Sequence, residues 1–398
     1  MKIGEFFVSK GLKMRIVKKY GGSSVATIEQ IENIAKQIAK EKKNNEIVIV
    51  LSAMGKTTNQ LIASAKQVSN QPSKRELDQL ISSGEIKSIT LMTLALEKLN
   101  IPAISLTGFQ AGIYTNQVFG KAFITKVDTT RIKKELKKGK VVVVAGFQGI
   151  TTGGEITTLG RGGSDTTAVA LAASLKCACE IYTDVDSVRT VNPELYKNSK
   201  SLKKISYNEM MEMSLSGAKV LETRCVELAK KFSVPLFLGK TLEENKSLGS
   251  YITHKDYFEK MPIKNLSVKD DICQFEIDKK NHKEMFEIIK KHNLNLEMTF
   301  LTNNKFCFIC PKAEMQNVKK ELKKLKILCK TRVKIAKITL VGLGMATHTN
   351  ICANMFKTVE SQNINILNTV VTEISISIII DKKDKEKAVN ILATLFGL

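Results

Sequence analysis

Three short apolar runs constrain this chain most. Ile47–Leu51 and Val141–Ala145 are uninterrupted, and Glu180-Ile-Tyr-Thr is the third. A strand that is apolar on both faces must be covered on both, which points to a mostly parallel sheet with helices above and below. Segments of helical character lie between them. Thr27 and Gln30 have the spacing of a capping box, and Ile28, Ile31, Ile34 and Ile38 recur at helical intervals behind it. Ala168 to Leu175 reads as an alanine-rich helix, Arg15 to Lys19 as an opening strand and Val234 to Leu238 as a closing one. This alternation predicts an α/β domain over residues 14–253.

From about Tyr257 glycine becomes rare, and short strands flank amphipathic helices. Strands are expected at Gln274–Ile277, Phe306–Ile309, Ala336–Val341, Ile364–Leu367 and Ile374–Ile380. Helices carry Met285, Ile288 and Ile289, then Val318, Leu322 and Leu325, then Ile351–Glu360 and Asp384–Phe396. The order fits two ferredoxin-like βαββαβ units, 263–335 and 336–398, suited to sensing or assembly.

With 62 Lys and Arg against 39 Asp and Glu, the chain has a formal charge of +23. The lysines are scattered, Trp is absent and aromatics reach only 6%, so a base-stacking platform is poorly supplied; neither nucleic acid nor a membrane is expected as partner. No apolar run approaches the roughly 20 residues of a membrane helix. Of eight cysteines only Cys307 and Cys310 have a CxxC spacing, within what reads as a buried strand, so core packing in a reducing cytoplasm is favoured over zinc. Met1 to Lys13 lacks the features of a secretory signal, and Met14 is an alternative start.

Three glycine-rich or polar segments follow strands, where open α/β sheets bind ligands. In Lys19-Tyr-Gly-Gly-Ser-Ser, Gly21, Gly22 and Ser23 can bring backbone N–H groups close to an anion and Lys19 adds a charge; a simple tight turn reads as well. In Leu159-Gly-Arg-Gly-Gly-Ser-Asp-Thr-Thr, N–H groups and hydroxyls suit phosphates and Arg161 suits a carboxylate. Helix capping by Ser164 or Asp165 explains the helix start but not an Arg between glycines. The third segment, Thr183, Asp184, Asp186, Ser187 and Arg189, can hold a ribose and base, or form a surface turn. Ser52 and Thr58 offer hydroxyls after a strand. Glu85 can meet an ammonium or be an ordinary exposed helix residue. Lys219 can be a second cation over phosphates or a solvated lysine.

Taken together, these segments resemble the aspartate kinase family of amino-acid kinases. The likeness runs from about Ile16 to Phe396. Lys19-Tyr-Gly-Gly-Ser-Ser-Val is similar to the family's KFGGTSV opening. Gly146-Phe-Gln-Gly and Gly154 to Ala168 resemble its most diagnostic block, Ser105 to Gly112 another stretch, and Tyr182-Thr-Asp-Val-Asp its nucleotide segment. Asn363-Ile-Asn-Ile and Thr372 to Ser377 resemble tandem ACT domains, in which one unit is inserted in the other; Ile263–Val268 would then pair with the last module. The resemblance implies a three-layer kinase domain and transfer of phosphate from ATP, with Mg2+, to the β-carboxylate of L-aspartate. It implies a homodimer or homotetramer built through the ACT domains. Lys19 and Asp165 would be catalytic. Ser52, Thr58, Glu85, Arg161 and Ser164 would bind aspartate, with a buried Arg and a buried Glu bracketing its carboxylate and ammonium. Lys19, Gly21, Gly22, Ser23, Thr183, Asp184, Arg189 and Lys219 would bind ATP.

The departures are specific. Ser187 stands where the family's turn has Gly, at a cost of about 1 kcal/mol if φ is positive there. Glu222-Thr-Arg replaces His-Pro-Arg. Asp278-Lys-Lys-Asn and His348-Thr-Asn350 replace proline-glycine effector loops, which argues against feedback by lysine or threonine. A weakly active amino-acid sensor of the same fold is the alternative.

Overall fold

The computed structural model describes residues 14–254, 263–292 and 294–398. The expectations for Met1–Lys13 lie outside them. The chain forms two compact units.

The first unit is built on an eight-stranded sheet. Its order is Lys204–Ser206, Ser250–Thr253, Leu236–Lys240, Ala178–Thr183, Met14–Tyr20, Asn45–Leu51, Val141–Ala145 and Ala103–Leu106. Every pairing is parallel except that of Leu236–Lys240 with Ser250–Thr253. The apolar runs are the central strands, as expected for strands covered on both faces. The sheet extends beyond Val234–Leu238, through two short strands too polar to announce themselves. The capping box at Thr27 and Gln30 is formed and starts helix Ile28–Glu41. Its Ile31, Ile34 and Ile38 pack with Tyr20, Ile47, Met92 and Leu96 on one face of the sheet. Helix Gly163–Leu175 is buried along nearly its whole length. Its alanines let it fit between the sheet and helix Thr223–Phe232. A second sheet, in the order Ile124–Val127, Ile113–Thr115, Gln148–Ile150, Ile156–Thr158, delivers the chain into the Gly160–Gly163 turn.

The second unit holds two four-stranded antiparallel sheets. Ile263–Lys269 pairs with Ile335–Gly342 of the last module. The intervening sheet therefore spans only residues 272–332, inside the 263–335 boundary read from sequence. Cys273, Cys307 and Cys310 are buried in its strands. The unit also takes in Arg189–Lys200 and Leu215–Ala218, which a cut at residue 253 does not anticipate. The reason is Val191, fully buried with Leu266 and Ile338, while the Leu266 amide donates to the Thr190 carbonyl at 2.8 Å.

Candidate active site

A pocket opens in the first unit where the strands Met14–Tyr20 and Asn45–Leu51 end. Lys19, Gly22, Ser52, Thr58, Glu85, Arg161, Ser164 and Asp165 line it. Strand alternation sends Lys19 to the opposite face of the sheet from Lys18 and Tyr20. Lys19 is nearly buried, and its Nζ lies 2.6 Å from Asp165 Oδ1. Asp165 sits in the first turn of Gly163–Leu175, whose N-terminal amides give the pocket a positive end. Gly22 is required by close approach: a Cβ there would lie 2.8 Å from the Ala53 carbonyl oxygen.

Glu85 is 3% exposed, so it is not an ordinary surface glutamate. Its Oε1 accepts the Ala53 amide at 3.1 Å, while Oε2 has no hydrogen-bond partner among the described residues. Burial pushes its carboxyl up to about 7. Arg161 corrects the expectation of a buried arginine: it is exposed, on the Gly160–Gly163 turn at the pocket's edge. A residue raised on a glycine turn presents its side chain to solvent, and no ion pair or hydrogen bond holds it among the described residues.

The remaining expected residues do not line this pocket. Gly21 donates its amide to the Tyr182 carbonyl at 3.2 Å, beside Lys19, and Ser23 follows it. Thr183 donates to Asp184 at the end of its strand. Lys219 is exposed. Arg189 lies in the second unit and donates to the Ser199 carbonyl at 3.0 Å. Ser187 is not strained: it is absent from the left-handed positions, and its hydroxyl bonds Asp186 and Ser201. Glu222 packs its Cβ and Cγ beside Gly162, and nothing in the structure explains Glu rather than His there.

Sequence reasoning did not place Phe147 at the site. It lines the pocket with φ of +69°, a strained conformation for a bulky residue. Its amide donates to Thr167 Oγ1 at 3.1 Å, and its carbonyl accepts the Leu159 amide at 2.8 Å. Its one sequence signal is the Gly146-Phe-Gln-Gly motif.

A glycine-lined, cation-bearing pocket at the ends of parallel strands suits the phosphates of a nucleotide, and the family match makes this a phosphotransferase of the amino-acid kinase type. The chain belongs to the amino acid kinase family, whose signature matches residues 14–240; an ACT domain signature matches residues 338–396. Among characterised relatives it is 40% identical to an aspartokinase of Geobacillus stearothermophilus over 397 residues, covering 96% of this chain and 97% of that one. It is equally 40% identical to aspartokinase 2 of Bacillus subtilis, with 96% and 98% covered. The fold is similar to that of E. coli aspartokinase III in complex with aspartate and ADP, with a TM-score of 0.83, 21% identity and 95% of this chain against 99% of that one. Function follows from the characterised relatives: the chain is an aspartate kinase.

Proposed function

We propose that aspartate binds with its ammonium at Glu85 and its α-carboxylate at Arg161, leaving the β-carboxylate free to attack the γ-phosphorus of ATP. The observation that carries this reading is the unpartnered Oε2 of Glu85, buried in the same pocket as the Lys19–Asp165 pair. A lone buried carboxylate is matched by a cation, and an α-ammonium supplies one. Ser52, Thr58 and Ser164 donate hydrogen bonds to the substrate. Gly21, Gly22 and Ser23, with Thr183, Asp184 and Lys219, serve the nucleotide.

In the transfer, a β-carboxylate oxygen forms a bond to the γ-phosphorus as the bond to the bridging oxygen breaks, yielding 4-phospho-L-aspartate and ADP. No base is needed, because the attacking carboxylate is ionised near pH 7. The requirement is in-line placement and neutralisation of charge on the phosphoryl oxygens. Lys19 supplies a cation, and Asp165 holds it in place at 2.6 Å. Mg2+ would enter with the nucleotide, and Asp165 offers it a hard oxygen. Bound with the nucleotide, Mg2+ neutralises phosphate charge.

The ACT modules support a homo-oligomer and an amino-acid response. A structure of E. coli aspartokinase III contains lysine, and lysine or threonine are the effectors to test here. No helix among the described residues is long and apolar enough to cross a membrane, and a cytoplasmic site of action agrees with eight free thiols. The test is hydroxylamine trapping of the acyl phosphate with Mg-ATP and either L-aspartate or L-glutamate, with and without lysine. Aspartate-dependent hydroxamate is expected. A folded protein that binds an amino acid without turnover would be a sensor instead.

A further inference from the structure

No ion pair or hydrogen bond among the described residues grips the Arg161 side chain, so its position is set by the backbone on which it stands. That backbone is held from two sides. On one side Asp78, 1% exposed on helix Lys74–Ile81, accepts the Gly120 and Thr158 amides at 2.8 Å through Oδ2 and the Thr158 hydroxyl at 2.8 Å through Oδ1. On the other, Arg224 donates through Nη1 to the Leu159 carbonyl at 3.0 Å and through Nη2 to the Ala122 carbonyl at 2.8 Å. Its guanidinium lies 4.5 Å from the centre of the Phe123 ring. The two gripped segments are themselves joined, since the Ala122 amide donates to the Thr158 carbonyl at 2.9 Å. Asp78 and Arg224 are 146 positions apart in sequence, yet each contacts both segments.

From these contacts we infer that Asp78 and Arg224 are positioning residues that fix the height and angle of the Arg161 turn, and with it the site for the substrate's α-carboxylate. This rests on the reading of Arg161 given above. Two observations argue against a bland structural role. Arg224 spends both forked nitrogens on main-chain carbonyls, leaving Leu159, two residues before Arg161, without freedom to shift. Gly160, with φ of +76°, passes so close to the Gly120 carbonyl that a Cβ would lie 3.1 Å from it. The turn is therefore seated directly on the segment that Asp78 and Arg224 hold. A fork recognising a carboxylate depends on sub-ångström placement, and this clamp supplies it without touching substrate.

The test is a double-mutant cycle on the full chain, read as kcat/KM for aspartate and separately as KM for ATP. Arg224→Gln is expected to raise the aspartate KM about tenfold or more and to change the ATP KM less than about twofold. Combined with Arg161→Ala, it should cost less than about a further twofold, because the group it positions is gone. Arg224→Lys, which keeps the charge but cannot span both carbonyls, should recover part of the loss. If Arg224→Gln does not fold, Arg224→Lys and Asp78→Asn are run through the same cycle. An Arg161→Ala enzyme with wild-type kinetics overturns the reading of Arg161 itself. A damaged Arg161→Ala beside an unaffected Arg224 variant, or losses of equal size in both backgrounds, overturns the positioning inference alone.

Discussion

Lys18 and Glu180 face each other on adjacent parallel strands, Nζ 2.9 Å from the carboxylate, and neither side chain touches solvent. Glu41 and Lys246 extend the cluster, and the Tyr182 hydroxyl donates to Glu180 at 2.7 Å. Burial alone would push the Glu180 carboxyl up. Lys18 and Lys246 win and hold it down at about 2, against an ordinary value of about 4.5. A depressed carboxyl contributes stability above the unfolded value, and that stability is lost as pH falls through the folded one. Unfolding midpoints should therefore drop between pH 4.5 and 2. Glu180→Gln removes one of the two carboxylates on Lys18 and leaves it with Glu41, and should cost about 1.5–3 kcal/mol. Denaturation showing less than about 1 kcal/mol would mean that water reaches the cluster.

Glu85 works in the opposite sense. Its carboxyl is raised to about 7, so the folded protein holds that proton more tightly than the unfolded chain. The resulting stability is complete at acid pH and lost as pH rises through about 7. Glu85→Gln should stabilise the ligand-free protein by roughly 3 kcal/mol at pH 8.5 and hardly at all at pH 4.5. The same variant should raise the aspartate KM, and the wild-type kcat/KM for aspartate should fall on the acid side of about pH 7. A pH-independent stability difference would remove Glu85 as the titrating group.

Arg161→Ala should raise the aspartate KM by about a hundredfold, as expected for a charged hydrogen bond of roughly 3 kcal/mol, while ATP binding is spared. Initial rates at varied aspartate and fixed ATP check this. An unchanged KM takes Arg161 out of the substrate site.

Lys19→Ala should act mainly on kcat, lowering it by about 10²–10³ through lost charge stabilisation in the transition state. Single-turnover kinetics and a melting curve separate the possibilities. Normal turnover with a lowered melting temperature would reduce Lys19 to a structural partner of Asp165.

Gly162→Ala tests the turn itself. Gly162 has φ of +65°, and an added Cβ would lie 2.0 Å from Glu222 Cγ. The left-handed penalty is about 1–2 kcal/mol before any displacement of Glu222. The melting temperature should fall, and the aspartate KM should rise as the turn moves. Glu222→Gly in the same chain, which removes both the Cβ and the Cγ in the way, should recover part of both; no recovery would show that φ alone sets the cost.

Local patterns carried much of this protein. The capping box at Thr27 and Gln30, the buried strands Asn45–Leu51 and Val141–Ala145, and the glycines around Arg161 are neighbours in sequence, so their chemistry is legible there. The inserted arrangement of the last two modules came from the family resemblance, and Ile263–Lys269 does pair with Ile335–Gly342.

Tertiary structure decided what depends on distance in space. Lys18 and Lys19 are alike in sequence; the register that sets Lys18 against Glu180, and Gly163–Leu175 that brings Asp165 to Lys19, give one to the core and the other to the pocket. Burial turned Glu85 from an ordinary helix glutamate into one that titrates near 7, and Val191 carried Arg189 into the second unit. Asp78 carried no signal and Arg224 only its place at the end of Glu222-Thr-Arg, because the role of each is defined by groups it meets only after folding. Residue type fixes what a side chain can do, while desolvation and long-range partners fix what it does.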